Sequence, residues 1–146
     1  MTTPTNTRTA RHPTINYRAV LVAAVAALVA SSVYYILLGG AYQALRPDPS
    51  TADPQAWKIV GQLARNIVMI TVLAVVMRRL RISTVRDALG LAGLIWIGFQ
   101  AVAVSGSVIH EQYPLGLFAL HIGDALLTTV LSALILHAMR RGTPDG

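Results

Sequence analysis

Residues 19–38 read AVLVAAVAALVASSVYYILL, a stretch of twenty residues that contains no charged side chain. A transmembrane helix needs about 20 predominantly apolar residues, so this stretch predicts a helix that crosses a bilayer. The apolar run is longer than the central region of a cleaved signal peptide, which favours a retained helix over a removed leader.

Three more apolar runs of similar length follow along the chain. Strand-like alternation is absent from all of them. Together with the first run they predict an all-α integral membrane protein, a four-helix bundle within residues 17–141. The polar segments before and after it predict disordered tails. The predicted spans are about 19–42, 57–77, 88–109 and 115–137, and the predicted tails are 1–16 (cytoplasmic) and 142–146.

The composition agrees with a membrane protein and excludes several other classes. The chain is 54% hydrophobic and 12% charged, whereas soluble domains carry about 25% charged residues. The net charge of +6 comes mainly from arginines at the ends of the apolar runs. This distribution is unlike the basic, aromatic-lined face of a nucleic-acid-binding domain, so we expect no nucleic-acid partner. The absence of cysteine excludes disulfides, thiol catalysis and cysteine-ligated metal sites.

The basic residues predict the orientation of the bundle. Nine of the twelve Lys and Arg residues lie before the first span, between the second and third spans, or after the fourth. The positive-inside rule therefore predicts that both termini are cytoplasmic (N-in, C-in), in the plasma (inner) membrane. Four arginines between the second and third spans are also candidates for contact with anionic lipid headgroups. These are Arg78, Arg79, Arg81 and Arg86.

Polar residues interrupt the spans at similar depths. Apart from Lys58 at the start of the second span, Arg65 and Asp124 are the only charged residues inside them, and they lie about 12 and 13 Å from the same predicted membrane face. A charge in hydrocarbon costs about 2.5–3.5 kcal/mol and is expected to be paired and inward-facing. We therefore predict an Arg65–Asp124 ion pair within an intramembrane polar layer. The layer comprises Tyr34, Tyr35, Gln62, Arg65, Asn66, Gln100, His121 and Asp124.

Catalytic and metal-binding patterns are absent from the sequence. We find no nucleotide-binding loop, no nucleophile–base spacing and no histidine pair with metal-ligand spacing. We therefore expect no catalytic residues, no metal, no cofactor and no enzymatic activity. Haem or quinone binding by His110 and His121 is a further alternative, disfavoured because the two differ in depth by several residues.

Two functions from different classes fit these features. Small residues such as Ala23, Ala27 and Ser31 recur along helix faces and permit close helix approach. They favour a bundle that acts by homo-oligomerisation or as an accessory subunit of a membrane complex, with the bilayer and a membrane protein as partners. The alternative is a small proton- or ion-coupled transporter using the Arg65–Asp124 layer, since ionisable residues inside membranes are functional candidates. Small drug exporters carry an embedded acid in their first helix, and this chain has none there.

Three segments carry distinctive motifs: YYILLGG at 34–40, a run with three glycines that ends in Gly-Phe within 90–99, and the turn EQYP followed by His-Ile-Gly within 111–123. They resemble a bacterial family of small four-helix membrane proteins that is catalogued as a domain of unknown function. The first is similar to that family's aromatic-Tyr-x-x-x-x-Gly segment, the second to its Gly-rich segment, and the third to the start of its last span.

The resemblance covers roughly residues 17–141, with two differences. Tyr34 stands where the family usually has Trp, and His121 stands at a position that is often Asn. The resemblance implies four helices in the inner membrane. It implies no activity and no functional residues.

Overall fold

A computed structural model of the protein describes residues 15–46, 56–111 and 113–141. All regular secondary structure within these ranges is helical. The predicted tails lie outside the described residues, apart from Ile15 and Asn16. The helices are α1 Tyr17–Leu37, α2 Gly39–Leu45, α3 Ala56–Arg79, α4 Val85–Ile95, a π-helical turn at Trp96–Ala101, α5 Val102–His110 and α6 Leu115–Arg141.

Four helical stretches are long and apolar enough to cross a membrane. Each overlaps one of the four predicted spans, so the all-α, four-span prediction is confirmed at this level, and the chain has the make-up of a membrane protein. The first span begins at Tyr17 because Asn16 caps it: the Asn16 Oδ1 atom accepts a hydrogen bond from the Ala19 N–H at 3.2 Å. The stretches are Tyr17–Leu37, Trp57–Arg79, Val85–His110 and Leu115–Arg140.

The first span is interrupted at Leu38 instead of continuing as one helix to Tyr42. Gly39 and Gly40 follow this residue, and glycines are a common cause of helix kinks. The Leu38 N–H still bonds the Tyr34 carbonyl at 3.0 Å, and the Tyr42 N–H bonds the Leu38 carbonyl at 2.9 Å. The interruption therefore leaves these backbone groups satisfied.

α6 is the central helix of the bundle. It packs along α1, and it also contacts α4, the π turn and α5. α3 packs on α1 and less extensively on α6, and it hardly touches the third span. α2 contacts α6 where Leu45 covers Gly116, so closely that a Cβ atom on Gly116 would lie 2.7 Å from the Leu45 side chain. The second span is thus attached mainly to α1, and the third span to α6.

The apolar core lies toward one end of the bundle, which we call the basic end. It is formed by the first halves of the first and third spans and the second halves of the other two. Most of its members are alanines, which let helix backbones approach closely. The core is Ala19, Val20, Ala23, Ala24, Ala27, Ile70, Leu73, Met77, Ala88, Ala92, Ala133 and Leu136.

α3 finishes at the basic end in a Schellman motif. The Ile82 N–H bonds the Met77 carbonyl at 2.9 Å, and the Arg81 N–H bonds the Arg78 carbonyl at 3.0 Å, which is the paired pattern of this cap. Arg140 of α6 reaches across to it. Its Nη1 donates to the Ile82 carbonyl at 2.9 Å and to the Met77 carbonyl at 3.4 Å. A cation at this place also complements the negative end of the α3 dipole.

We expect Arg140→Gln to lower the free energy of unfolding by about 1 kcal/mol, because a charged donor to these carbonyls is lost. The measurement is the thermal unfolding midpoint of the purified protein in detergent. Arg79→Gln is the control, since Arg79 is exposed at the same end and makes no such contact among the described residues. An equal loss in both variants would contradict the capping role.

Candidate functional site

Asp124 is the most deeply buried charged side chain in the described part of the spans, with 6% of its surface exposed. The Ser31 hydroxyl of α1 lies beside its carboxyl group, and Arg65 and His121 lie within electrostatic range. The Oδ1 atom has no hydrogen-bond partner among the described residues. A buried polar atom without a partner is costly, so Asp124 marks the centre of the candidate site.

Tyr34 reaches this site because the neighbouring position in α6 has no side chain. A Cβ atom built on Gly123 would lie 2.5 Å from the Tyr34 hydroxyl oxygen. The glycine thus makes room for the phenol immediately beside Asp124. Tyr34 and Tyr35 contact each other edge to face, with ring centres 5.4 Å apart.

A cluster of tyrosine rings surrounds His121. Its ring centre lies 6.1, 6.2 and 5.8 Å from the rings of Tyr35, Tyr42 and Tyr113. The Nδ1 atom lies 2.9 Å from the Tyr113 hydroxyl and 2.8 Å from the Leu117 carbonyl oxygen. Burial, and to a smaller extent Tyr42, raises the pKa of Tyr113 above its usual value, so this hydroxyl keeps its proton.

The two contacts of Nδ1 suit different tautomers of the His121 ring. A bare Nδ1 accepts a hydrogen bond from the Tyr113 hydroxyl, whereas a protonated Nδ1 donates one to the Leu117 carbonyl. His121 therefore has a partner at this atom in either tautomer.

Gln100 contacts a different face of α6. Its Nε2 donates to the Thr129 Oγ1 at 2.8 Å, and the Trp96 Nε1 donates to the Ile122 carbonyl at 2.7 Å. Thr129 lies about 140° around the helix from Asp124 at 100° per residue. The helix α6 therefore stands between Gln100 and the Asp124 site, because it is the central helix.

Both of these donors belong to the π turn Trp96–Ala101. Such turns often occur at functional sites. The turn binds the third span to α6 through two side-chain hydrogen bonds.

The predicted residues of the second span differ from one another in exposure. Asn66 is 8% exposed, and its Nδ2 has no partner among the described residues. Gln62 is half-buried and Arg65 is exposed. No salt bridge joins Arg65 to Asp124 in the described part of the chain, so the structure does not contain the predicted ion pair. Since the inward face of α3 includes Asn66, the preceding Arg65 is turned about 100° away from it.

Several residues of the site were not singled out by the sequence. Gly123 stands out in the sequence only within a motif, although a glycine beside an intramembrane acid is a signal of close approach. The sequence predicts a packing role for Ser31, and Trp96 carries a usable signal as an indole in the middle of a span. The remaining members are Tyr42 and Tyr113, whose rings contact His121.

The arginines predicted to contact lipid are not equivalent. Arg81 and Arg86 line an open groove of about 500 Å³ at the basic end. Arg78 is half-buried and Arg79 is exposed, and neither lines this groove.

The described residues include no group of three or more His, Asp and Glu placed to hold a metal ion. His110, the second histidine of the haem alternative, is exposed at the end of α5. His121 lies within the tyrosine cluster, so the structure does not bring the two histidines into one pocket.

Comparison with known proteins gives one result. A family model described as "Protein of unknown function (DUF1761)" matches residues 18–137. No curated protein and no solved structure matches the chain. The resemblance to a family of unknown function is confirmed.

Proposed function

This chain belongs to the family described as "Protein of unknown function (DUF1761)", and since that description gives no activity, we propose a function from the geometry of the chain. The protein is a non-enzymatic membrane bundle that acts by association. The partner is a second copy of the chain or another membrane protein, for which this chain is an accessory subunit. The proposed interface is the face of α3 that carries Arg65. In this proposal the protein spans the plasma membrane with its basic end and both termini on the cytoplasmic side, in accord with the positive-inside rule.

The exposure of Arg65 supports this proposal. The residue lies eight positions after Trp57, where the second span begins, or about 12 Å into the membrane. Its side chain is exposed within the single chain. A charge at this depth is costly against lipid tails and is expected to face protein or a polar cavity. A second protein chain over this face would supply that cover.

The neighbouring surface of α3 suits a close partner. Gly61, one turn before Arg65, is exposed, and a Cβ atom there would meet nothing within 4 Å. Ala64 and Val68 are exposed beside it. Small residues around a polar one are typical of helix interfaces in membranes, where backbones approach closely.

Photo-crosslinking in intact membranes tests the proposal. A photoreactive amino acid is placed at Val68 on the proposed interface, and in a second variant at Val29 on the exposed side of α1. We expect a protein adduct from position 68 and none from position 29. The mass of the adduct distinguishes a second copy from a different protein. Protein adducts from position 29 alone, or from neither position, would contradict the proposed interface.

A second function, proton- or ion-coupled transport, is favoured by one observation. The Asp124 Oδ1 atom is buried without a partner among the described residues, and an available carboxylate inside a membrane is a candidate ion site. It lies beside Ser31 and near His121.

Replacement of Asp124 by Asn separates the two functions. For a transporter, we expect loss of ion flux in reconstituted vesicles at an unchanged protein level, because Asn has no exchangeable charge. For an acid with only a structural role, we expect lower abundance or assembly of the protein, because the contact of the buried carboxyl group with Ser31 is altered. Immunoblotting and vesicle flux measured on the same preparations distinguish these results.

A further inference from the structure

The groove at the basic end combines two cations with an apolar wall. It lies between the end of α3 and the first half of the third span, and its volume is about 500 Å³, within the range of small-molecule sites. Arg81 and Arg86 supply the positive charge. The groove is lined by Leu80, Arg81, Ile82, Arg86, Asp87, Gly90, Leu91 and Leu94.

The carboxylate in the groove is already engaged. Asp87 belongs to the cap of α4: its Oδ2 accepts from the Thr84 hydroxyl at 2.8 Å, and its N–H donates to the Thr84 Oγ1 at 3.1 Å. The side chains of Arg81 and Arg86 make no hydrogen bond or salt bridge among the described residues. Both arginines are exposed, so two cations in one groove are available to an anion.

Arg81 occupies a backbone position that normally belongs to glycine. Its φ angle is 52°, and it is the left-handed residue of the Schellman motif, where glycine has no steric penalty. A long cationic side chain at this position is held in strained backbone geometry, as residues that contact ligands often are. The positive φ angle of Arg81 is an observation separate from the charge and the shape of the groove.

We propose that this groove binds one anionic phospholipid, with its phosphate between Arg81 and Arg86 and an acyl chain along Leu91 and Leu94. Arginine is suited to phosphate because its planar guanidinium can donate two hydrogen bonds at once. Leu91 and Leu94 extend from the arginines into the third span, where Leu94 is 69% exposed. A soluble anion would use only the polar part of such a groove. This site goes beyond the proposed association, since it lies on a different part of the chain from Arg65.

The site is tested by native mass spectrometry of the full chain released from detergent micelles. The protein is titrated with phosphatidylglycerol, which is anionic, or phosphatidylcholine, which is zwitterionic. We expect a single phosphatidylglycerol adduct to dominate in the unmodified chain. Each arginine near a membrane surface contributes about a fivefold preference for anionic over zwitterionic lipid. The double variant Arg81→Gly with Arg86→Gln is therefore expected to lower the preference for phosphatidylglycerol over phosphatidylcholine about 30-fold.

The variants are chosen so that folding and binding separate. Arg81→Gly relieves the positive φ angle, and we expect its thermal unfolding midpoint to equal or exceed that of the unmodified chain. Arg86→Gln alone provides a second variant, with about a fivefold loss of lipid preference. Arg78→Gln with Arg79→Gln is the matched control at the same end and outside the groove.

The outcomes decide between lipid and other anions. The site would be overturned if Arg86→Gln and the double variant Arg81→Gly with Arg86→Gln both retained the preference for phosphatidylglycerol. An equal loss of that preference in the Arg78/Arg79 control would also overturn it. Displacement of the lipid by glycerol phosphate at equal concentration would show that the groove recognises a free phosphate, and would likewise overturn the proposal.

Discussion

Replacing Arg65 by Gln is expected to weaken assembly of the protein by about 2–5 kcal/mol, which is about 30-fold to several-thousand-fold in the dissociation constant. The reason is that Arg65 is exposed in one chain, part-way along the second span. Under the proposed association, a partner chain buries it and pairs with it. Loss of one member of such a pair leaves its partner group buried and unpaired.

The measurement is the fraction of assembled protein as the sample is diluted in detergent. Energy transfer between labelled copies of the chain, or between this chain and a partner identified by crosslinking, reports that fraction. Arg65→Lys is the conservative variant: it keeps the charge but loses the two-pronged donor, so we expect an intermediate loss. Arg79→Gln is the control, since Arg79 lies at the last position of the second span. Unchanged assembly in Arg65→Gln would contradict the proposed interface.

Replacing Gly123 by Ala is expected to destabilise the protein by about 1–3 kcal/mol, which is the usual result of forcing an extra methyl group into a packed site. The new Cβ atom would lie 2.5 Å from the Tyr34 hydroxyl oxygen. The tyrosine ring would have to move away from the Asp124 site. The effect is measured as the shift in thermal unfolding midpoint in detergent.

The same substitution in a Tyr34→Phe background distinguishes a clash from a general effect. Without the hydroxyl, the methyl group has room, so we expect Gly123→Ala to cost little there. Gly93→Ala is the control, because its Cβ atom would meet nothing within 4 Å. We expect it to be neutral or to stabilise its helix by up to about 1 kcal/mol. An equal loss in both Tyr34 backgrounds would show that the contact is not the cause.

The sequence predicted the four spans because the length of an apolar run is set by the thickness of the bilayer. It missed the π turn at Trp96–Ala101 and the interruption at Leu38. The reason is that both change the path of the chain without changing its hydropathy. The glycines after Leu38 were a local signal of the interruption, but nothing in residues 96–101 identifies a π turn.

The sequence did not predict which of the polar residues meet. Periodicity shows which residues share one face of a helix, and it does not show which neighbouring helix that face contacts. Gln100 therefore pairs with Thr129 and not with the Asp124 group. Arg65 was expected to face inward because of its charge, whereas the packing of α3 through Asn66 and Ile70 turns it outward.

One arginine counted as a topology signal has a further role. Arg140 caps the end of α3 across the bundle. That contact joins residues far apart in the chain, so no local pattern predicts it.

The mass of the unmodified protein extracted directly into native lipid discs tests the central proposal most directly. A particle that contains two or more copies of the chain, or one copy with another membrane protein, is the predicted result. A particle that contains a single copy of this chain and only lipid would contradict association as its function.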